Sequence, residues 1–259
     1  KTLNDGAEKR LIQDNETMDI LAYSNKMEVF IPAGTLSEGD VLMAMLMPFP
    51  DLPQDGEYLV QYTDASGETH PVAWCLVPPG KVYYVAAAPG EYEIVKAEEG
   101  FSDVSEAFWG ADAISFAAAR GLFQGVGSGE FDPSGTMTRS MLVTVLGRLA
   151  GVDPADYSGE STFSDVDADS WYGPYVAWAA ENGVVQGVGG DRFAPNDPIT
   201  REQLCTMLVR YLDSDGIELP QLTNPAAFTD EDQVSGWARV AVERFRQLGI
   251  VEGSDTGAF

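Results

Sequence analysis

The chain has 259 residues with 41 acidic and 15 basic side chains, which gives a formal charge of −26. This balance excludes proteins that bind duplex nucleic acid or dock on an anionic bilayer, because both need a cluster of Lys and Arg that is missing here. The sequence also lacks a run of about 18 apolar residues, so we expect no membrane insertion. An apolar share of 44% is sufficient for packed cores, and the length predicts about two domains.

The sequence contains few residues suited to metal binding or nucleophilic catalysis. Cys75 and Cys205 are the only cysteines, and His70 is the only histidine. Two cysteines make no disulfide framework, and we expect both to be buried as small apolar residues. A single histidine leaves little material for a histidine-based zinc site or a Ser-His-Asp triad. We therefore expect no cofactor and no resident metal, and we predict that the chain is not an enzyme.

Residues 1–99 have the pattern of an antiparallel β domain. Short runs rich in Val and Tyr alternate with turns that contain Gly or Pro, and residues 1–19 have the composition of a polar lead-in. Residues 64–67 separate two runs and predict a hairpin. We expect a small sandwich or barrel, with an immunoglobulin-like arrangement as one option. The predicted strands are 27–31, 41–47, 58–63, 71–77, 82–87 and 92–96.

From residue 101 onward the chain repeats itself. Residues 101–150 and 163–212 share 20 identities in 50 ungapped positions, at an offset of 62 residues. A third copy restarts at Phe228 and ends at Phe259, before it reaches a Pro, a Thr-Arg pair or a last helix. Such self-similarity is typical of a repeat architecture. We expect the natural protein to continue past Phe259. We also expect the helix at 237–248 to lack its partner within its own repeat and to pack only against other repeats.

Each full repeat predicts two helices. The first begins near the motif tryptophan and ends at Gly121 or Gly183, each a C′ residue. The second begins after Thr138 or Thr200, which are suited to cap a helix. Thr200 has a glutamine three residues later, which predicts a capping box. Thr138 has a methionine at that position, which does not.

The order Phe-x-Asp-Val, Trp, Gly-x-x-x-Gly, Phe-x-Pro and Thr-Arg resembles the S-layer homology domain family over about 101–259. The resemblance implies three repeats around a pseudo-threefold axis, with one helix of each in a central bundle and ligand grooves between repeats. We therefore predict an α+β multidomain chain. It would have a β domain at 1–99 and repeats at 100–160, 161–224 and 225–259, the last of them incomplete.

For function, the resemblance implies non-covalent anchoring of a bacterial surface protein. The module would bind anionic, pyruvylated secondary cell-wall polysaccharide and so hold the protein at the cell wall, outside the cell. The alternative is a self-assembling S-layer or adhesive structural protein whose β domain binds host or neighbouring proteins. Its partners would then be other copies of itself or other surface proteins.

Arg139 and Arg201 are the first candidates for ligand contact. Each directly follows the N-cap of a helix, where a cation opposes the helix dipole by about 0.3–1 kcal/mol. A repeated unfavourable placement points to another role for the guanidinium. It would bind an anionic ligand together with the free amides of the helix start, or it would pair with Asp103 or Asp165 and hold the repeats together.

Further candidates recur in the repeats. A motif tryptophan is either a core anchor or a groove wall against a sugar ring. A motif aspartate either caps a turn or accepts hydrogen bonds from sugar hydroxyls. A motif glycine allows close approach of a ligand. These candidates are Trp109, Trp171, Trp237, Asp103, Asp165, Asp230, Gly125 and Gly187.

A calcium loop is a further alternative in the second repeat. Asp165, Asp167 and Asp169 alternate like the start of such a loop. Ser170 and Val176 stand where an EF-hand loop needs Gly and Glu, and they weaken this alternative.

Overall fold

The computed structural model describes residues 9–12, 19–23, 26–30, 42–46, 57–78, 81–86, 90–97, 100–159, 161–217 and 225–259. These residues form strands and helices of a mixed α+β chain, as predicted. They fall into two compact units, residues 1–133 and residues 134–259. No helix within the described ranges is long and apolar enough to cross a membrane.

The first unit contains two antiparallel sheets. One has the strand order β1-β2-β3-β9-β5-β6 and the other has the order β4-β8-β7. The strands are β1 (Lys9–Ile12), β2 (Asp19–Tyr23), β3 (Lys26–Phe30), β4 (Leu42–Leu46), β5 (Tyr58–Thr63), β6 (Thr69–Pro71), β7 (Cys75–Leu76), β8 (Val82–Ala86) and β9 (Gly90–Lys96).

Most predicted strands occur in the structure, but β1 and β2 were not predicted and one predicted strand is divided. The hairpin at 64–67 is confirmed, because β5 pairs with β6 in the register Thr63 to Thr69. Residues 1–19, with the composition of a polar lead-in, contain β1, which pairs with β2. The predicted strand 71–77 divides into β6 and β7, which belong to different sheets.

The core of the first unit draws side chains from both sheets. Alternation along β8 and β9 turns every second residue inward, as the period of two requires. The buried residues are Leu59, Val60, Cys75, Val82, Tyr84, Ala86, Tyr92 and Ile94. Cys75 and Cys205 are both buried and free, as expected.

The first helix of repeat 1, α1 (Ala111–Ala119), belongs to the same unit as the strands. Arg120 ends it and is only 2% exposed. Its Nε donates to the carbonyl of Cys75 (3.0 Å) and its Nη1 to the carboxylate of Glu57 (2.8 Å). Ala119 packs against the core of the sheets. A buried guanidinium therefore attaches α1 to the β strands.

The described residues of the second unit form four α-helices: α2 (Arg139–Leu149), α3 (Gly173–Glu181), α4 (Arg201–Ser214) and α5 (Arg239–Gln247). Thr138 and Thr200 cap α2 and α4 by accepting the amide at N3, as predicted. The expected absence of a capping box at Thr138 is wrong, because the sulfur of Met141 accepts the Thr138 amide at 3.4 Å. A φ of 70° at Gly183 confirms the predicted helix end there.

Helices pair across the boundaries between sequence repeats. α2 packs on α3, and α4 packs on α5, so the second helix of one repeat covers the first helix of the next. The helix of the third repeat therefore packs against another repeat, as predicted. Its Ala241 and Phe245 are buried against Cys205 and Val209 of α4.

The two helix pairs use opposite arrangements of large and small residues. A Cβ on Gly147 of α2 would lie 2.3 Å from the ring of Tyr175 on α3. At the corresponding positions of the other pair stand Val209 on α4 and Ala241 on α5, both buried in one cluster. The small residue is on the first helix of the pair α2–α3 and on the second helix of the pair α4–α5. The two helices pack against each other in both pairs.

Gly147→Ala is expected to destabilise the second unit. Alanine favours a helix by about 1 kcal/mol over glycine, but the clash with Tyr175 costs about 1–3 kcal/mol. Urea unfolding followed by circular dichroism measures the net loss. The double variant Gly147→Val with Tyr175→Ala copies the arrangement of the other pair. It should be more stable than Tyr175→Ala alone, and an equal or lower stability would contradict this account.

Candidate functional site

The motif aspartate of each repeat binds the loop that carries the second phenylalanine of the same repeat. Asp103 accepts the amides of Phe131 (2.8 Å) and Asp132 (2.7 Å). Asp165 accepts the amides 28 and 29 residues further on at 2.7 and 2.9 Å, and Asp230 accepts the amide of Phe259 at 2.7 Å. The carboxylate therefore closes a long loop instead of only capping the adjacent turn.

An aromatic pair lies beside each of these carboxylates. The motif phenylalanine and the loop phenylalanine have ring centroids 5.1, 5.5 and 5.3 Å apart in repeats 1, 2 and 3. A Cβ on Gly125 would lie 2.3 Å from the carbonyl oxygen of Glu130 and 2.7 Å from the ring of Phe101. A Cβ on Gly187 would lie 2.7 Å from the carbonyl oxygen of Arg192 and 2.9 Å from the ring of Phe163. The close approach predicted at these glycines is therefore made by the protein's own loop.

Arg139 reaches from α2 into the loop of repeat 2. Its Nε donates to the carbonyl of Phe193 (2.8 Å) and its Nη2 to the carbonyl of Gln186 (3.2 Å). The guanidinium carbon lies 4.7 Å from the centroid of the Phe193 ring. Only 3% of the residue is exposed. Burial lowers the pKa of Arg139, and the charges of Asp197 and Asp165 oppose that effect.

Arg201 makes the same contacts one repeat later. Its Nη1 donates to the carbonyl of Phe259 (2.6 Å) and its Nη2 to that of Glu252 (3.0 Å). Its guanidinium carbon also lies 4.7 Å from the ring it covers. Unlike Arg139, however, Arg201 is exposed. The two guanidinium groups thus occupy equivalent sockets. The segment that covers Arg139, with Pro195 and Asp197, follows Phe193, and the counterpart of Phe193 is the last residue of the sequence.

Backbone amides at the start of α2 donate hydrogen bonds to carbonyls of the protein itself. The amide of Arg139 donates to Asp197 O (3.0 Å), and that of Ser140 donates to Pro195 O (3.0 Å). The free amides that an anion site would need at this helix start are therefore occupied. The direct hydrogen bonds of the Arg139 side chain go to backbone carbonyls, and the expected partners Asp103 and Asp165 instead hold the loops.

The three motif tryptophans lie at the protein surface. Trp109 is 92% exposed, and Trp171 and Trp237 are each 57% exposed. Trp109 has Phe108 beside it at 5.5 Å, and Trp171 has Tyr172 edge-on at 5.1 Å. Because an indole at these exposures contributes little to a core, the surface placement favours the groove-wall interpretation over the core-anchor one.

The three carboxylates of the calcium alternative are not gathered around one point in the part of the chain that the structure describes. Asp165 is bound to the loop amides, and Asp167 accepts the amide of Asp169 at 3.0 Å. Within the described ranges these three carboxylates do not converge as a cation site would require.

Sequence reasoning missed the acceptors of the guanidinium groups. They are main-chain carbonyls of Gln186, Phe193, Glu252 and Phe259, and residue identity does not reveal a carbonyl acceptor. The distance from motif aspartate to loop phenylalanine, 28 residues in repeats 1 and 2 and 29 in repeat 3, was a usable clue. A spacing kept that closely suggests a fixed contact between the two ends.

Comparison with known proteins identifies the repeats. Residues 100–140 and 162–205 match the S-layer homology domain family. A surface-layer 125 kDa protein of Lysinibacillus sphaericus is 31% identical over 56% of this chain and 12% of that protein. An amylopullulanase of Thermoanaerobacterium thermosulfurigenes is 29% identical over 70% of this chain and 10% of that protein.

An exoglucanase, XynX, of Acetivibrio thermocellus is 24% identical over 99% of this chain and 24% of that protein. The chain therefore spans about a tenth to a quarter of the length of these relatives.

Arg139→Lys is expected to lower the free energy of unfolding by about 2–4 kcal/mol. An ammonium cannot donate to both carbonyls and stack on Phe193 at the same time, and its charge is buried. Arg201→Lys is the matched control, because the same contacts lie in solvent and the cost should stay below about 1 kcal/mol. Urea titrations of both variants measure the difference. Equal losses would show that burial does not distinguish the two sockets.

Asp103→Asn is expected to destabilise the protein near neutral pH and to have little effect in acid. The amides of Phe131 and Asp132 hold the pKa of Asp103 below its usual range. The folded carboxylate thus stabilises the fold above the unfolded pKa of about 3.9, and it loses this contribution as the pH falls through the folded pKa.

Urea midpoints of Asp103→Asn and wild type at pH 7 and pH 3 test this expectation. Glu106→Gln, which removes a carboxyl from outside the loop contact, serves as the control. A difference between Asp103→Asn and wild type that is as large at pH 3 as at pH 7 would rule the account out.

Proposed function

We propose that this chain anchors a bacterial surface protein to the cell wall without a covalent bond, because residues 100–140 and 162–205 match the S-layer homology domain family. The family match and the surface-layer relatives indicate a location at the cell surface or cell wall. The proposed ligand is secondary cell-wall polysaccharide that carries anionic, pyruvylated sugars. Binding would occur in grooves between the repeats.

The observation that carries this proposal is the exposure of a tryptophan at one register in every repeat. Trp109, Trp171 and Trp237 each stand just before the first helix of a repeat and are at least 57% exposed. An indole face stacks on the apolar face of a sugar ring, and its N–H donates to a hydroxyl. Three such positions on one polymer would increase retention through effective concentration.

The two arginines take different roles in this proposal. Arg201 follows the cap of α4 and binds two carbonyls of repeat 3, and it would also meet the carboxylate of a pyruvyl group. Arg139 is buried and would act by holding the loop of repeat 2 in place. Asp103, Asp165 and Asp230 would shape their loops, because their described hydrogen bonds go to loop amides.

For the architecture we propose the arrangement that the family resemblance implies. The repeats, at 100–160, 161–224 and 225–259, would surround a pseudo-threefold axis with a central bundle. The equivalent pairing of α2 with α3 and of α4 with α5 supports regular repetition. The β domain at 1–99 would be a sandwich, since its core draws on two sheets.

We also propose that this chain binds rather than catalyses. The matched family is a binding module. The amylopullulanase and exoglucanase names describe proteins of which this chain matches 10% and 24%. Catalysis in those relatives does not transfer to a segment this short.

Polysaccharide binding by the full chain should depend on the repeat tryptophans. We expect Trp171→Ala with Trp237→Ala to weaken binding to purified wall polysaccharide at least about tenfold, since each lost stacking contact costs about 1 kcal/mol or more. Trp74→Ala removes another exposed indole, 42% exposed and outside the repeats, and should leave binding unchanged. Isothermal titration or a sedimentation pull-down measures both.

Arg201→Ala should also weaken binding, and its unfolding curve should stay close to that of the wild type. Unchanged affinity in the Arg201 variant and in the tryptophan pair would overturn the proposed mode of recognition.

The second candidate function is self-assembly, which the surface-layer relatives favour. In that case the repeats would associate with other copies and the β domain would contact neighbouring proteins. Light scattering separates the candidates. Assembly that is independent of added polysaccharide supports the second, and a monodisperse chain that assembles only on the polymer supports the first.

A further inference from the structure

Three side chains of metal-ligating type meet on the β5–β6 hairpin, outside the repeats. Tyr62 pairs with His70 and Thr63 with Thr69, so the next positions, Asp64 and Glu68, also face each other. Facing residues of antiparallel strands share a face, and so do residues two apart along a strand. Asp64, Glu68 and His70 therefore project from one face of the hairpin. Their ligand atoms all lie within 4.8 Å of one another.

The hairpin turn fixes one of these groups. The Oδ1 of Asp64 accepts the amides of Ser66 (2.8 Å) and Glu68 (3.0 Å) and the hydroxyl of Ser66 (2.6 Å). These bonds set the orientation of the carboxylate. The other oxygen, Oδ2, is directed at His70, whose Nε2 lies 3.1 Å away. A ligand oriented by neighbouring hydrogen bonds is typical of metal sites.

We propose that Asp64, Glu68 and His70 form a binding site for one divalent cation of the zinc type. One imidazole and two carboxylates supply three ligands, the number that zinc sites with an open fourth position use. The imidazole favours Zn²⁺ over Ca²⁺ and Mg²⁺, which take oxygen ligands. The histidine count alone predicted little material for such a site, but the hairpin register adds the two carboxylates.

The separations suit a small tetrahedral ion. Bonds of about 2.0–2.1 Å place the ligand atoms of a tetrahedral zinc ion about 3.3 Å apart. The oxygen of Asp64 and the nitrogen of His70, at 3.1 Å, are already close to that separation. Glu68 is exposed, so rotation of its side chain completes the set without moving the backbone. The cation takes the place of the hydrogen bond between Asp64 and His70, and any proton on Nε2 moves to Nδ1 or to solvent water.

The fourth coordination position faces solvent. His70 and Glu68 are exposed and Asp64 is half-buried, so water or a ligand atom of another molecule can reach the ion. The net charge of −26 raises the local concentration of cations at the surface. That attraction acts on every exposed carboxylate, and a specific site has to bind more tightly than this background.

The single histidine makes the test unambiguous. The probe is ZnCl₂ added to the full chain, with isothermal titration for stoichiometry and proton NMR of the one imidazole for location. We expect one ion per chain and a shift of the His70 ring protons that saturates at one equivalent. His70→Asn and Glu68→Gln should each weaken binding at least about tenfold.

Glu106→Gln is the matched control, because it removes the same charge from outside the hairpin. It should change the affinity less than about twofold. Several weak equivalents that all three variants alter alike, or imidazole protons that do not shift, would overturn the proposal. Thermal unfolding of each variant without zinc checks that the hairpin is intact, and Glu68→Gln retains the side-chain shape should His70→Asn disturb it.

Discussion

A guanidinium from one repeat that binds two backbone carbonyls of the next repeat organises the helical part of this protein. Arg139 does this for repeat 2, and Arg201 does it for repeat 3 at the same distance from the ring beneath. The contact requires a loop whose carbonyls converge, and the motif aspartate supplies that loop by holding its amides from the other side. Aspartate, loop and arginine are therefore mutually dependent. The unfavourable position of a cation at a helix start is offset by contacts that the helix itself does not make.

Because of this contact, the segments that pack together as one structural module do not coincide with the sequence repeats. The module runs from the Thr-Arg helix of one repeat through the first helix and loop of the next, because α2 packs on α3 and α4 on α5. Within that frame the sequence can vary as long as volume is conserved. Gly147 faces Tyr175 in one module, whereas Val209 and Ala241 occupy the same positions in the other. Close-packed interiors tolerate such exchanges when the summed volume is retained.

The sequence predicted features that depend on local chemistry, and it failed where a contact uses the backbone of a distant segment. The caps at Thr138 and Thr200 and the end at Gly183 follow from nearby residues, and the structure confirms them. The socket of Arg139 was not predictable in this way, since its acceptors are carbonyls some 50 residues away that any residue type supplies. The same reason explains β1, whose pairing with β2 outweighs the polar composition of residues 1–19.

The negative charge of the chain limits how it can recognise an anionic polymer. Of the 15 basic residues, Arg120, Arg139 and Arg246 are buried and engaged with the protein's own groups. A net charge of −26 opposes an anionic ligand at long range, but salt screens that repulsion beyond about 8 Å. Recognition in the proposed grooves must then rest on interactions shorter than the screening length. Exposed indole faces meet that requirement first, because stacking needs no net positive charge, and a single guanidinium at contact distance adds selectivity for the anionic substituent.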